Sequence, residues 1–248
     1  MRSEIAFLLA VLGAALLSVP VYALGAARRG SDPHEVADRG SFVLGGFVRN
    51  WFYWFQGPVD RTALAFGLGP LFFNLLGVAF GVLSAVFFAQ GHLSLAGWDI
   101  LLGGWSDVVD GRLARAMGVA SEHGAFLDST LDRFAEFAAF VGLALLFQES
   151  ALTLALVVTA LGGSLLVSYA RARGESVGVV CKVGVMQRAE RLLLLGFGAI
   201  LDPAVSASVG RSQGALLGVV LGIVALGTLG TAVYRTWWIA ARLPKVTV

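Results

Sequence analysis

Residues 105–136 read WSDVVDGRLARAMGVASEHGAFLDSTLDRFAE and place four aspartates, Asp107, Asp110, Asp128 and Asp132, at the ends of two otherwise apolar stretches. A carboxylate near hydrocarbon costs several kcal/mol unless it is paired, hydrated or metal-bound. Asp107 and Asp110 are three positions apart and Asp128 and Asp132 four, so each pair lies on one face of its own helix. A short turn joins the two helices and lets the pairs face each other. Four facing carboxylates repel unless cations sit between them. Oxygen-only ligands favour hard divalent ions, Mg2+ or Mn2+, over zinc. Two such ions about 4 Å apart suit displacement at phosphorus. The alternative is a set of helix-end ion pairs with Arg112, Arg115 and Arg133.

Working outward, the flanking sequence is membrane-like. Of 248 residues, 57% are hydrophobic and only 14% charged, against about a quarter charged in soluble domains. A bilayer core needs ~20 apolar residues per helix. Core spans are expected at about Leu68–Gln90, Leu93–Asp110, Gly124–Phe147, Leu152–Ser168 and Gly214–Tyr234, with a weaker one at Leu192–Val209 that Asp202-Pro203 interrupts. A seventh run, Ile5–Leu24, is longer than the ~7–15 apolar residues of a signal peptide and is followed by Arg28 and Arg29, so it reads as an uncleaved helix. Residues 28–41 form a polar connector. Phe42–Phe55 then reads as an amphipathic helix in the interface, with Trp51, Tyr53 and Trp54 at headgroup level.

Lys and Arg counts in the short loops set the orientation. Arg112, Arg115, Arg171, Arg173, Lys182, Arg188, Arg191, Arg235, Arg242 and Lys245 share one side, whereas the loops around His92, Glu149 and Arg211 hold a single arginine. The basic side is cytoplasmic and carries the aspartates, which places the N-terminus outside. A net charge of +2 gives no nucleic-acid surface. The lone cysteine, Cys181, precludes an internal disulfide, and His34, His92 and His123 lack ligand spacing. Gly111 and Gly124 remove side chains where a ligand approaches a helix backbone, and Arg115 can grip a diphosphate.

The pattern Asp107-x2-Asp110-Gly111-x2-Ala114-Arg115-x8-Gly124-x3-Asp128-x3-Asp132 resembles the signature of the CDP-alcohol phosphotransferase family, without gap or substitution. The resemblance extends more loosely over residues 57–234. It implies an all-α integral membrane fold: a six-helix bundle preceded by an interfacial amphipathic helix, here with one extra N-terminal transmembrane helix. The expected division is 1–27 for the extra helix, 28–56 for connector and interfacial helix, 57–240 for the membrane domain and 241–248 for a cytoplasmic tail. The resemblance further implies that Asp107, Asp110 and Asp128 are metal ligands, with Asp132 a ligand or the general base. Gly111, Ala114 and Gly124 would floor the cytidine pocket beside Asp107, and Arg115 would contact the diphosphate. The implied reaction moves a lipid phosphate from CDP-diacylglycerol or a CDP-archaeol-type lipid to a small polar alcohol, releasing CMP. One departure stands out. Family members often carry Pro-Asn and then Thr at the start of the first core helix, whereas this chain has Gly69-Pro70-Leu71-Phe72-Phe73-Asn74.

The acceptor is read from Arg171, Arg173, Arg188 and Arg191, which would form a basic pocket suited to a phosphorylated alcohol. Positive-inside topology with snorkelling side chains is the competing account. The Tyr169-x-Arg171-x-Arg173 and Glu190-Arg191 arrangement resembles the family branch that makes phosphatidylinositol phosphate or its archaeal counterpart, which implies inositol 1-phosphate as acceptor. Glycerol 3-phosphate, giving phosphatidylglycerophosphate, is the alternative. A transporter would spread its charges along a path instead of at one end, and a decayed anchor would have lost a ligand. Glycines such as Gly218 and Gly222 suit close helix packing or a homodimer.

Overall fold

Pro70 starts a helix where the apolar run begins, its fixed φ suiting the first helical position. The computed structural model describes residues 2–29 and 45–244; the expected connector from residue 30, His34 within it, residues 42–44 and the end of the tail from Lys245 lie outside the described residues. Within them, the regular structure consists of α1 (Arg2–Arg29), α2 (Gly45–Ala65), α3 (Pro70–Ala89), α4 (Leu93–Ala116), α5 (Glu122–Leu146), α6 (Ala151–Ser176), α7 (Arg188–Ser208) and α8 (Ala215–Ala240). The chain divides into two compact units, Met1–Gly69 and Pro70–Val248.

In the first unit α1 and α2 pack through aromatic and polar contacts. Trp51 Nε1 donates to Ser18 Oγ at 2.8 Å, and Tyr22 meets the rings of Phe47 and Trp54 at 5.5 and 5.7 Å. Trp51 and Trp54 therefore face α1 in part. α2 continues past Phe55, where the sequence reading ended it, to Ala65.

The second unit is a bundle of α3–α8. Of these, α3, α6, α7 and α8 are long and apolar enough to cross a membrane, and the protein is a multi-pass membrane protein. α4 and α5 carry the aspartates that lower their hydropathy, yet both pack on α3, and α4 packs on α7 as well. The connections are short. At the end of α4, Val119 N donates to Ala114 O and Gly118 N to Arg115 O, with Gly118 at φ +65. That double bond closes the helix and reverses the chain within five residues, 117–121. Alternating directions bring the starts of α3, α5 and α7 and the ends of α4, α6 and α8 to one end of the bundle.

The apolar core fills the other half. Phe88, Leu93, Ala96, Leu143, Val157, Ala199, Leu217 and Leu221 meet there, all essentially buried. Close approach is set by small residues: a Cβ added at Gly97 would lie 2.6 Å from Gly196 O, and one at Gly81 would lie 2.7 Å from Ala135 Cα. These contacts pull α4 onto α7 and α3 onto α5.

Two expectations are corrected. α4 and α6 run beyond their apolar stretches, to Ala116 and Ser176, so Gly111, Ala114 and Arg115 are helical. Asp202-Pro203 does not interrupt α7, which continues to Ser208. The fully buried Asp202 instead accepts bonds from Gly214 N at 2.7 Å and Leu217 N at 2.9 Å, capping α8. Ser206 Oγ accepts from Leu216 N at 3.2 Å in the same turn.

Candidate metal centre and its arginine wall

Each half of the 105–136 segment is one helix end, and each aspartate pair projects from one face. α5 is started by Ser121, whose hydroxyl accepts from Gly124 N at 3.2 Å, fixing the helix phase that presents Asp128 and Asp132. Asp107, Asp110 and Asp128 each offer one carboxylate oxygen, and these oxygens lie within 4.8 Å of one another. Asp110 is buried and the other two half-buried. Hard oxygen donors this close fit a divalent cation.

Asp132 stands next to this trio and is held by α7. Arg188 Nη2 lies 2.6 Å from Asp132 Oδ1, and its Nη1 lies 2.7 Å from Asp107 Oδ2. One guanidinium thus spans both signature helices, in the forked geometry arginine uses for carboxylates. Arg133 does not make the alternative helix-end pair with the aspartates but binds Glu136 at 2.9 Å. Behind Arg188, a cavity of about 30 Å³ runs between α3, α4, α5 and α7, reached by Ser84, Asp99 and Glu136. Asp99 Oδ2 and Arg188 Nε are buried in this region without a hydrogen-bond partner. The space suffices for about two waters.

Gly111 and Gly124 leave open ground. A Cβ at Gly111 would meet only the Arg115 guanidinium, at 3.5 Å, and one at Gly124 only Ser121 Oγ, at 3.4 Å. Ala114 is half-buried and Arg115 exposed on the same helix end.

The four arginines expected at the acceptor pocket occupy different settings. Arg171 and Arg173, on the last turns of α6, are exposed; Arg171 Nε lies 2.9 Å from Glu175 Oε1 and Arg173 Nη1 donates to Ser176 Oγ at 3.2 Å. Arg188 is on the aspartates. Arg191 is 1% exposed, and its donors go to Glu136 Oε1 at 2.7 and 2.9 Å and to Met186 O at 3.4 Å.

Three residues of this end were not assigned a role from sequence. Glu136 accepts from both Arg133 and Arg191. Arg235, buried on α8, donates to Val183 O at 2.6 Å and Val167 O at 3.0 Å, pinning the 177–187 loop to α6. Asn74, one turn into α3, turns its amide to Asp110 and Asp128; with the nitrogen facing them, it lies 3.0 Å from Asp110 Oδ2 and 3.1 Å from Asp128 Oδ1. Its displaced position in the motif was the available signal. Cys181 is fully buried and His123 exposed.

Residues 68–226 match the profile of CDP-alcohol phosphatidyltransferase. A phosphatidylinositol phosphate synthase of Streptomyces avermitilis is 37% identical over 202 residues, covering 79% of this chain and 82% of that protein. An archaetidylinositol phosphate synthase of Pyrococcus horikoshii is 34% identical over 147 residues, 58% of this chain and 76% of the relative. The crystal structure of Mycobacterium tuberculosis phosphatidylinositol phosphate synthase with CDP-DAG bound superimposes with a TM-score of 0.66 at 27% identity, covering 77% of this chain and 98% of that one. The same enzyme in complex with manganese and citrate gives 0.64 at 28% identity, covering 74% and 88%. With the signature intact on two facing helix ends, this chain belongs to the CDP-alcohol phosphatidyltransferase family.

Proposed function

We propose that the protein transfers a phosphatidyl group, or its ether-lipid equivalent, from a CDP-linked lipid to inositol 1-phosphate and releases CMP. The observation that carries this reading is the carboxylate trio of Asp107, Asp110 and Asp128 with Asp132 beside it, backed by arginine on α6 and α7. The relatives named for inositol phosphate products and the CDP-DAG-bound neighbour support the donor and acceptor classes.

Asp107, Asp110 and Asp128 are assigned as ligands of Mg2+ or Mn2+, in a site for two ions. Bound there, divalent cations supply positive charge that offsets the diphosphate and the leaving CMP. The remaining chemistry belongs to the chain. Asp132 takes the proton from the acceptor hydroxyl. The freed oxygen attacks the lipid-side phosphorus, a new P–O bond forms, and the bond to the CMP oxygen breaks. Gly111, Ala114 and Gly124 give the nucleotide close access to two helix backbones, and Arg115 grips the diphosphate.

For the acceptor phosphate, Arg171 and Arg173 are the direct contacts, and Arg188, whose two Nη atoms hold Asp107 and Asp132, borders the pocket. Arg191 is too deeply engaged with Glu136 for that role and is assigned instead to holding the pocket floor. The basic end of the bundle supports a cytoplasmic active site in the cell (inner) membrane. A homodimer would need a surface other than the Gly218 and Gly222 face, because a Cβ there meets Thr153 and Leu156 of α6 in the same chain.

The test is CMP release by the purified full chain in detergent with CDP-diacylglycerol, Mg2+ or Mn2+, and each acceptor in turn. Release that requires inositol 1-phosphate and stops with EDTA is the expected result. Release only with glycerol 3-phosphate keeps the chemistry and overturns the acceptor.

A further inference from the structure

Two like-charged carboxylates from different helices do not hold a fixed spacing by themselves. On one side of the cluster Arg188 supplies the tie, bonding Asp107 and Asp132. The other pair, Asp110 on α4 and Asp128 on α5, is bridged from a third helix by Asn74. The amide has an orientation in which its two N–H groups each find a carboxylate, and it is the orientation that pairs donors with acceptors. We propose that Asn74 is a positioning residue for the cation site, a neutral clamp that holds Asp110 and Asp128 at the separation at which they take the ion.

Neutrality is the reason for an amide here. A second arginine would place fixed positive charge where a divalent cation must sit. An amide donates the same bonds and leaves the negative charge of the trio available. Each carboxylate still keeps one oxygen free of the clamp. The surrounding packing fixes where the amide can be. Phe73, its neighbour on α3, meets Trp105 of α4 edge-on at 6.4 Å, and Gly81 seats α3 against Ala135 of α5. Both contacts leave Asn74 poised over the junction of α4 and α5. Partners that orient ligating carboxylates typically govern metal affinity by about 10- to 100-fold.

The inference rests on reading Asp107, Asp110 and Asp128 as a cation site, and the experiment separates the two. Mn2+ affinity of the full chain in detergent, without lipid, is measured by titration with electron paramagnetic resonance for wild type, Asn74→Ala and Asn74→Leu. Thermal unfolding of each is followed in EDTA. Saturable Mn2+ binding by wild type, weakened about 10- to 100-fold in both variants with metal-free unfolding temperatures unchanged, is expected. Absence of binding by wild type would sink the cation site itself. Wild-type affinity in both variants would leave the site standing and overturn the clamp. Lowered metal-free stability in both, with affinity retained, would likewise overturn it, because Asn74 would then serve the fold alone.

Discussion

Arg191 and Glu136, 55 positions apart in sequence, form the most deeply buried ion pair described, with Arg191 Nη2 and Nε at 2.7 and 2.9 Å from a single oxygen, Glu136 Oε1. The pair joins the first turn of α7 to the middle of α5, one turn below Asp132. It sets the height at which Arg188, one turn earlier on α7, reaches the aspartates.

Breaking that pair is expected to destabilise the protein. Removing Arg191 leaves the buried Glu136 with Arg133 as its one remaining ion-pair partner, so the cost falls below the ~3–5 kcal/mol of a fully stranded charge. Arg191→Ala should therefore lower the unfolding temperature in detergent. Arg191→Ala with Glu136→Leu should recover part of the loss, because the buried, half-paired carboxylate is gone and Arg133 is partly exposed to water. A single variant as stable as wild type, followed by differential scanning fluorimetry, would contradict the pair's structural role.

The signature aspartates were legible because charge is rare in apolar helices, so four carboxylates at one end demand an explanation from sequence alone. The tie made by Glu136 was not. It extends the Asp128, Asp132 stripe by one more turn and carries no mark showing that its partner lies on a helix far along the chain. Asp202 misled for a similar reason. Next to Pro203 it read as a break in α7, while its actual service is to the backbone of α8, a partner that only packing supplies. The four arginines read as one pocket because composition cannot distinguish an exposed helix end from a buried one. Arg171 and Arg191 differ only in the way their helices are turned.

Asp202→Ala should loosen the start of α8. It strands two backbone donors, Gly214 N and Leu217 N, away from water. Losing partners of this kind costs about 1–3 kcal/mol. Since this end of the bundle is opposite the aspartates, the expected outcome is a lower unfolding temperature with unchanged KM for both substrates. A selective rise in acceptor KM would show that the two ends are coupled.

Arg171→Ala and Arg173→Ala are expected to raise the acceptor KM by roughly 10- to 100-fold, the value of one charge-assisted bond at about 1.5–3 kcal/mol. The KM for CDP-lipid should stay near wild type. Arg171 is available for this work because its present partner, Glu175, is an exposed neighbour on the same helix, 2.9 Å away. Such surface pairs contribute little, so an incoming phosphate can displace Glu175. Unchanged acceptor kinetics in both variants would return these arginines to a topological role.

In the proposed mechanism Asp132 is the general base, and its position separates it from the other three aspartates. The oxygens of Asp107, Asp110 and Asp128 converge within 4.8 Å of one another, whereas Asp132 lies outside that trio and shares Arg188 with Asp107, at 2.6 and 2.7 Å. Asp132→Asn preserves shape and an oxygen that can face Arg188 but removes the basic carboxylate. As general base it should cost about 10²- to 10⁴-fold in kcat, with CDP-lipid binding and Mn2+ affinity close to wild type. Asp110→Asn should behave in the opposite sense, weakening Mn2+ before anything else. If Asp132→Asn lost metal to the same degree as Asp110→Asn, Asp132 would be a fourth ligand, and the proton of the acceptor hydroxyl would have to leave by another group.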